Sequence, residues 1–268
     1  MAPSPVRQEP PVFTATAESV YLDVFVTRDG EPVRGLATDD FEVLDGGRPV
    51  RIELVPTGAV PLSAVLVLDT SLSVSGAKLD RLRKACDAFV RALGPKDEAV
   101  LLTFSNAVRL RSGPGEDRSA LETALAETRA GGRTALFDAL FTGLLMGPGL
   151  PGRPALIAFS DGVDTVSWTG GSDALALARQ SSTLVFAVGV ASDLLQEVVD
   201  ATGGRTLSET GAGIENAFLR VLTDLRHRYL LRFDSADDAP GWRALEVKLK
   251  GTRADLRHRP GYTRRPKP

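Results

Sequence analysis

Residues 64–75 read AVLVLDTSLSVS, and the division of this stretch decides the fold. Residues 64–68 form a short apolar run without a polar interruption, which fits a central strand buried on both faces. An amphipathic segment beginning at Lys78 fits the helix that follows. Asp69, Ser71 and Ser73 then lie on the loop leaving the carboxyl end of a strand, where open α/β sheets bind ligands. One carboxylate and two hydroxyls are hard oxygen donors, suited to Mg²⁺ or Mn²⁺ and poorly suited to soft metals. The same residue types are also turn formers and helix caps, so this stretch alone leaves both readings open.

Towards the C-terminus, strand and helix alternate. Leu79, Leu82, Cys86, Phe89, Val90 and Leu93 recur at three and four and form one helical stripe, ended by Gly94-Pro95. Cys86 on that stripe reads as a small buried hydrophobe. Residues 98–104 predict a strand, 108–111 an edge strand, 117–130 a helix broken by Gly131-Gly132, and 135–146 a helix after Thr134. A strand at 155–159 ends at Ser160-Asp161-Gly162. A helix at 172–180, a strand at 183–190, a helix at 194–201, a short strand at 203–207 and a helix at 212–226 complete the pattern. Residues 61–226 therefore predict an α/β domain with a doubly wound, mostly parallel sheet.

The flanks have a period of two. Residues 20–28 alternate, Asp29-Gly30 predicts a tight turn, and 39–44 and 48–56 predict two more strands. Beyond the last helix, 228–233, 244–250 and 253–258 read as strands. Strands of 16–60 and 227–263 are expected to pair into one small β domain, with the α/β domain inserted in it. Residues 1–15, rich in Pro and polar side chains, are expected to form a disordered leader.

Composition narrows the function classes. The net charge of −2 over 268 residues provides no basic footprint for nucleic acid. The single cysteine permits no intrachain disulfide. No run reaches the roughly 18 apolar residues of a membrane helix. The start, MAPSPVRQEPP, has no apolar signal core. The expected location is nevertheless periplasmic or extracellular, with the leader absent from this sequence; the cytoplasm is the alternative. His227 and His258 lie outside the polar loops and read as structural or surface residues.

Two further loops bear on the opening stretch. Thr134 precedes a helix, and Asp161 sits at the carboxyl end of the second strongly apolar strand. If those two strands are neighbours, Asp69, Ser71, Ser73, Thr134 and Asp161 converge as an all-oxygen set for one divalent ion. Individually, Thr134 fits a helix cap and Asp161 a turn former; the combination of three loops carries the information.

With DTSLS at 69–73, GGRTALFDAL at 131–140 and FSDG at 159–162, residues 61–226 resemble a von Willebrand factor type A (vWA) domain with its metal-ion-dependent adhesion site. The resemblance implies a vWA/Rossmann-like sheet with the ion at its upper edge. It implies Ser71 and Ser73 as direct ligands, Thr134 as a direct ligand in the high-affinity arrangement, and Asp69 and Asp161 binding directly or through water. It further implies a partner's Glu or Asp, or water, at the open position. Val74 stands where many such domains have Met, without removing a ligand. The flanks, with RYLLRFDSAD and HRPGYTR, resemble bacterial vWA-related proteins common in Acidobacteria. The implied function is metal-dependent binding of a protein, with no catalytic residues. The alternatives are a cytoplasmic assembly or chaperone-type subunit and, with less support, a Mg²⁺-dependent hydrolase or phosphatase. Ser71 stands where Asp-nucleophile phosphatases have a second Asp, and no G-x-S-x-G elbow is present. Asp138 is expected to hold the loops by hydrogen bonds, Asp164 to act as an outer-shell group, and Trp168 to contribute to partner selectivity.

Overall fold

The computed structural model describes residues 19–56, 58, 60–160, 163–208, 213–236, 239–251 and 253–264. Strand β1 (Ser19–Arg28) buries Val20, Leu22, Val24 and Val26 at alternate positions, the period of a strand with one face in a core. Asp29 (φ 52°) and Gly30 (φ 82°) both adopt left-handed backbone, as a two-residue hairpin turn demands. They return the chain to β2 (Glu31–Pro32), antiparallel to β1. Residues 39–40 belong to a 3₁₀ turn, Thr38–Asp40, so the strand expected at 39–44 is β3 (Phe41–Asp45). The run 48–56 is two strands in different sheets. β4 (Arg48–Val50) pairs with β3, and β5 (Ile52–Val55) joins the sheet of β1. A period of two carries no mark of the point, at Arg51, where the chain changes sheets.

β6 (Leu62–Asp69) is buried along its whole length. It is followed by α1 (Ala77–Ala92), β7 (Glu98–Phe104), β8 (Val108–Ser112), α2 (Arg118–Glu127), α3 (Leu136–Met146), β9 (Arg153–Ser160) and α4 (Gly171–Gln180). β10 (Leu184–Gly189), α5 (Asp193–Thr202), β11 (Arg205–Leu207) and α6 (Ile214–Arg226) complete the domain. Asp117 caps α2 instead of opening it: its carboxylate accepts the Ala120 N–H at 2.8 Å, satisfying a donor the helix leaves free. The sheet order is β11-β10-β9-β6-β7-β8, parallel except for β8.

Alternation along the strands assigns the two helical layers. Ala64, Leu66, Leu68, Ile157 and Phe186 share a core with Leu82 and Phe89 of α1, Leu121 of α2 and Phe218 of α6. Val65, Val67, Leu156 and Ala187 share the other with Leu140 of α3, Ala178 of α4 and Val199 of α5. Each fully buried Val, Leu, Ile or Phe among them is worth about 1.5–3 kcal/mol. Gly143 permits the close approach of α3: a Cβ there would lie 2.6 Å from Leu156 Cδ1.

β12 (Tyr229–Asp234), β13 (Gly241–Leu249), β14 (Asp255–Arg257) and β15 (Gly261–Arg264) end the chain. One flanking sheet has the order β14-β1-β12-β5, with β2 beside β1; the other is β15-β13-β3-β4. Val20, Leu22, Leu231 and Phe233 of the first meet Phe41, Val43, Leu245 and Val247 of the second in one core. The fold class is thus the expected one, a doubly wound α/β core inserted between β segments. The β segments form a two-sheet sandwich, and β15 is an additional strand, too short after Pro260 to display a period.

The sandwich docks through the outer face of β1. Asp23 pairs with Arg153, the first residue of β9. The Arg228 guanidinium lies 5.4 Å from the ring centroids of both Phe25 and Phe186. Its Nη2 donates to Gly203 O at 2.8 Å, just before β11. The docking edge is therefore the amino edge of the parallel strands, opposite the polar loops.

Candidate functional site

β6 and β9 are parallel neighbours, in register from Leu62↔Arg153 to Leu68↔Phe159. Their successors run in opposite directions across the sheet, β6 leading to β7 and β9 to β10. This is the switch point at which loops splay apart and leave a crevice. Asp69 ends β6 with no solvent exposure. Its Oδ1 accepts the Ser71 N–H at 2.8 Å, and its Oδ2 accepts the Ser160 hydroxyl at 3.1 Å. The Ser71 and Ser73 hydroxyls are 3.0 Å apart. Ser71 is buried and Ser73 is exposed, so the hydroxyl pair leads from the carboxylate towards solvent.

The loop carrying Thr134 is tied against this one. Gly131 N donates to Thr70 O at 2.8 Å, and Leu72 N donates to Gly132 O at 3.1 Å. Gly132 has φ +84°, and a Cβ on it would lie 2.8 Å from Asn106 Oδ1. That oxygen accepts the Arg133 N–H at 2.6 Å, so the position requires a residue without a side chain. Thr134 is buried, and its N–H donates to Thr165 Oγ1 at 3.0 Å. Of the five anticipated residues, Asp69, Ser71 and Ser73 come together on one loop, and Thr134 sits on the loop bonded to it. Asp161 lies outside the described residues.

Sequence reasoning missed Ser160, whose hydroxyl orients Asp69; its place directly before Asp161 at a strand end was the available signal. Asp138 holds the third loop, as expected. Asp138 Oδ2 accepts the Trp168 N–H at 3.1 Å and its Oδ1 the Thr169 N–H at 2.8 Å. Asp164 Oδ1 accepts the Phe137 N–H at 3.3 Å and the Ser167 hydroxyl. Both carboxylates therefore fasten residues 164–169 to the amino end of α3. His227 Nδ1 lies 2.7 Å from Thr223 O, and His258 Nδ1 lies 2.7 Å from Arg259 O, both remote from these loops in the fold.

The donor set is chemically consistent: the described side chains are one carboxylate and hydroxyls, all hard oxygen. Among the described residues no three His, Cys, Asp or Glu side chains gather as a metal-binding group. Among the described residues, Asp69 and the hydroxyls beside it are the donors available to a cation here. Trp168 is 97% exposed at the same edge.

Residues 64–167 match the family model described as von Willebrand factor type A domain. A search of curated proteins finds no match. Among solved structures, the von Willebrand factor type A protein from Catenulispora acidiphila superimposes with a TM-score of 0.56 at 13% identity, over 91% of this chain and 73% of that one. Proximal thread matrix protein 1 of the mussel byssus gives 0.53 at 16% identity, over 67% of this chain and 49% of that one, so the likeness spans about half of the mussel protein. The PilB minor pilin from Streptococcus sanguinis gives 0.52 at 12% identity, over 63% of this chain and 62% of that one. At these identities the likeness is one of fold. The family match over residues 64–167, the doubly wound sheet and the loops at its switch point agree: this part of the chain is similar to von Willebrand factor type A domains in sequence pattern and in fold.

Proposed function

We propose that the carboxyl edge of the parallel sheet is a divalent-cation-dependent binding site for an acidic side chain of a protein partner. Asp69, Ser71, Ser73, Thr134 and Asp161 would hold Mg²⁺ or Mn²⁺, Asp161 being assigned from its motif. The bound ion would supply Lewis acidity towards a Glu or Asp carboxylate. The observation that carries the reading is the pairing of the Ser71 and Ser73 hydroxyls, 3.0 Å apart, in front of the wholly buried Asp69.

The chain's own residues do the positioning. The Ser160 hydroxyl and the Ser71 amide fix both oxygens of Asp69. The Gly132 carbonyl holds the loop at Leu72. The three hydroxyls are neutral, so the ion would keep Lewis acidity towards an anionic sixth ligand.

Binding is favoured over catalysis because Ser71 occupies the place of a second nucleophile-side Asp. The β flanks favour a bacterial vWA-related protein working outside the cytoplasm over an assembly subunit within it. No described helix is long and apolar enough to cross a membrane.

The test is calorimetric titration of Mg²⁺ and Mn²⁺ into wild type and Asp69→Ala. Wild type is expected to bind and to gain thermal stability by mass action, with most affinity lost in the variant. Equal affinity in both, or no uptake by wild type at millimolar metal, defeats the reading.

A further inference from the structure

The carboxyl edge holds an unusual share of the molecule's exposed apolar surface. Among the described residues eight large hydrophobic side chains are exposed, and four of them lie on this edge: Leu72 (66%), Val163 (68%), Trp168 (97%) and Val190 (52%). They come from the loops that follow β6, β9 and β10. Scattered single exposures need no explanation, but apolar groups gathered around a polar centre mark interaction surfaces.

The edge is preformed. Leu72 N is bonded to Gly132 O, and Val190 N donates to Ser160 O at 3.0 Å. The Trp168 backbone is fastened by Asp138. A loop whose backbone is held before binding loses little further freedom on contact, and an exposed Trp carried on it is the kind of side chain that anchors interfaces.

Charge selects the partner. Arg133, next to Thr134, is exposed, and its Nη2 donates to Thr165 O at 2.8 Å, which sets its guanidinium on this edge. Asp138 and Asp164 are turned inward onto backbone amides. Beside Thr134, Arg133 therefore presents an outward-facing cation, complementary to an acid.

We propose that this rim docks an acidic protein segment in which a large aliphatic or aromatic side chain adjoins the carboxylate. The carboxylate goes to the Ser71–Ser73–Thr134 centre and the neighbouring apolar group to Trp168. The inference rests on the metal-dependent reading above and adds to it the chemical class of the partner.

The probe is a set of short peptides with one Glu flanked by Gly, Leu, Phe or Trp, and the matching Gln peptides, tested with Mg²⁺ and with EDTA. Binding is read by titration and by the emission of Trp168 in a Trp242→Phe background. Leu-, Phe- and Trp-flanked Glu peptides are expected to bind about tenfold tighter than the Gly-flanked one, the weight of one hot-spot side chain. The Leu-flanked peptide should shift Trp168 emission to the blue. In Trp168→Ala the affinities should converge. Mg²⁺-loaded protein that binds all Glu peptides equally, binds none, or keeps its preference in Trp168→Ala overturns this inference alone. Protein that takes up no Mg²⁺ overturns both readings.

Discussion

Cys86 shows how one side chain's chemistry follows from its packing. It is fully buried on the α1 face that meets the sheet. Burial, with a smaller contribution from the Asp87 charge, pushes its thiol well above the ordinary range, so the reactive thiolate is suppressed. Native protein is expected to react with thiol reagents far more slowly than protein in denaturant, and rapid native labelling would show that α1 opens. Cys86→Ser is expected to lower unfolding stability by about 1–3 kcal/mol, because an unpaired hydroxyl replaces a small apolar group. Chemical denaturation measures this directly. The burial was legible from the three-and-four spacing around Cys86. The role of Ser160 was not, because its hydroxyl acquires meaning only when β9 lies beside β6.

At the scale of elements, the loop at 163–170 depends on α3. Asp138 and Asp164 accept amide hydrogens across that contact, and the amino end of α3 favours negative charge beside it. Asp138→Ala removes both oxygens that hold Trp168 and Thr169. Hydrogen exchange at those two amides is expected to accelerate while the β6 and β9 amides keep their protection, with a stability loss of about 1–3 kcal/mol. Unchanged exchange at Trp168 and Thr169 would mean that the loop holds itself. The helix and the polar loop were both readable in sequence. That Asp138 holds a loop was also expected; which amides it takes was not, since they lie some thirty residues away.

At the scale of the molecule, Asp45 clasps the sandwich. It has no solvent exposure and accepts Arg243 Nε at 2.7 Å, Ala236 N at 2.9 Å, and the Ser235 and Tyr262 hydroxyls at 3.2 Å. Burial alone would raise its carboxyl, but the Arg243 hydrogen bond and charge, with Ala236 and Tyr262, hold it below the ordinary value. A depressed folded value means that this stabilisation is complete above the unfolded pKa of about 3.9. It is lost as pH falls through the lower folded value. Asp45→Ala is expected to cost about 3–5 kcal/mol at neutral pH by removing the carboxylate that pairs with the buried Arg243. The variant should then lose less than wild type on acidification. Urea denaturation at pH 7 and pH 3 tests both statements, and parallel losses in the two proteins would place the acid sensitivity elsewhere.

The sequence by itself determined what burial periodicity and local chemistry encode. It carried the apolar β6 and β9, the stripe of α1, the Asp29-Gly30 turn, and the grouping of Asp69, Ser71 and Ser73 within one loop. These depend on neighbours a few residues away. Only the tertiary structure decided that β6 and β9 adjoin, that Gly132 O reaches Leu72, that the chain changes sheets at Arg51, and that β15 closes the second sheet. Those outcomes rest on pairings between residues far apart in the chain, where partners are chosen by the competition among all faces for burial and not by any local pattern.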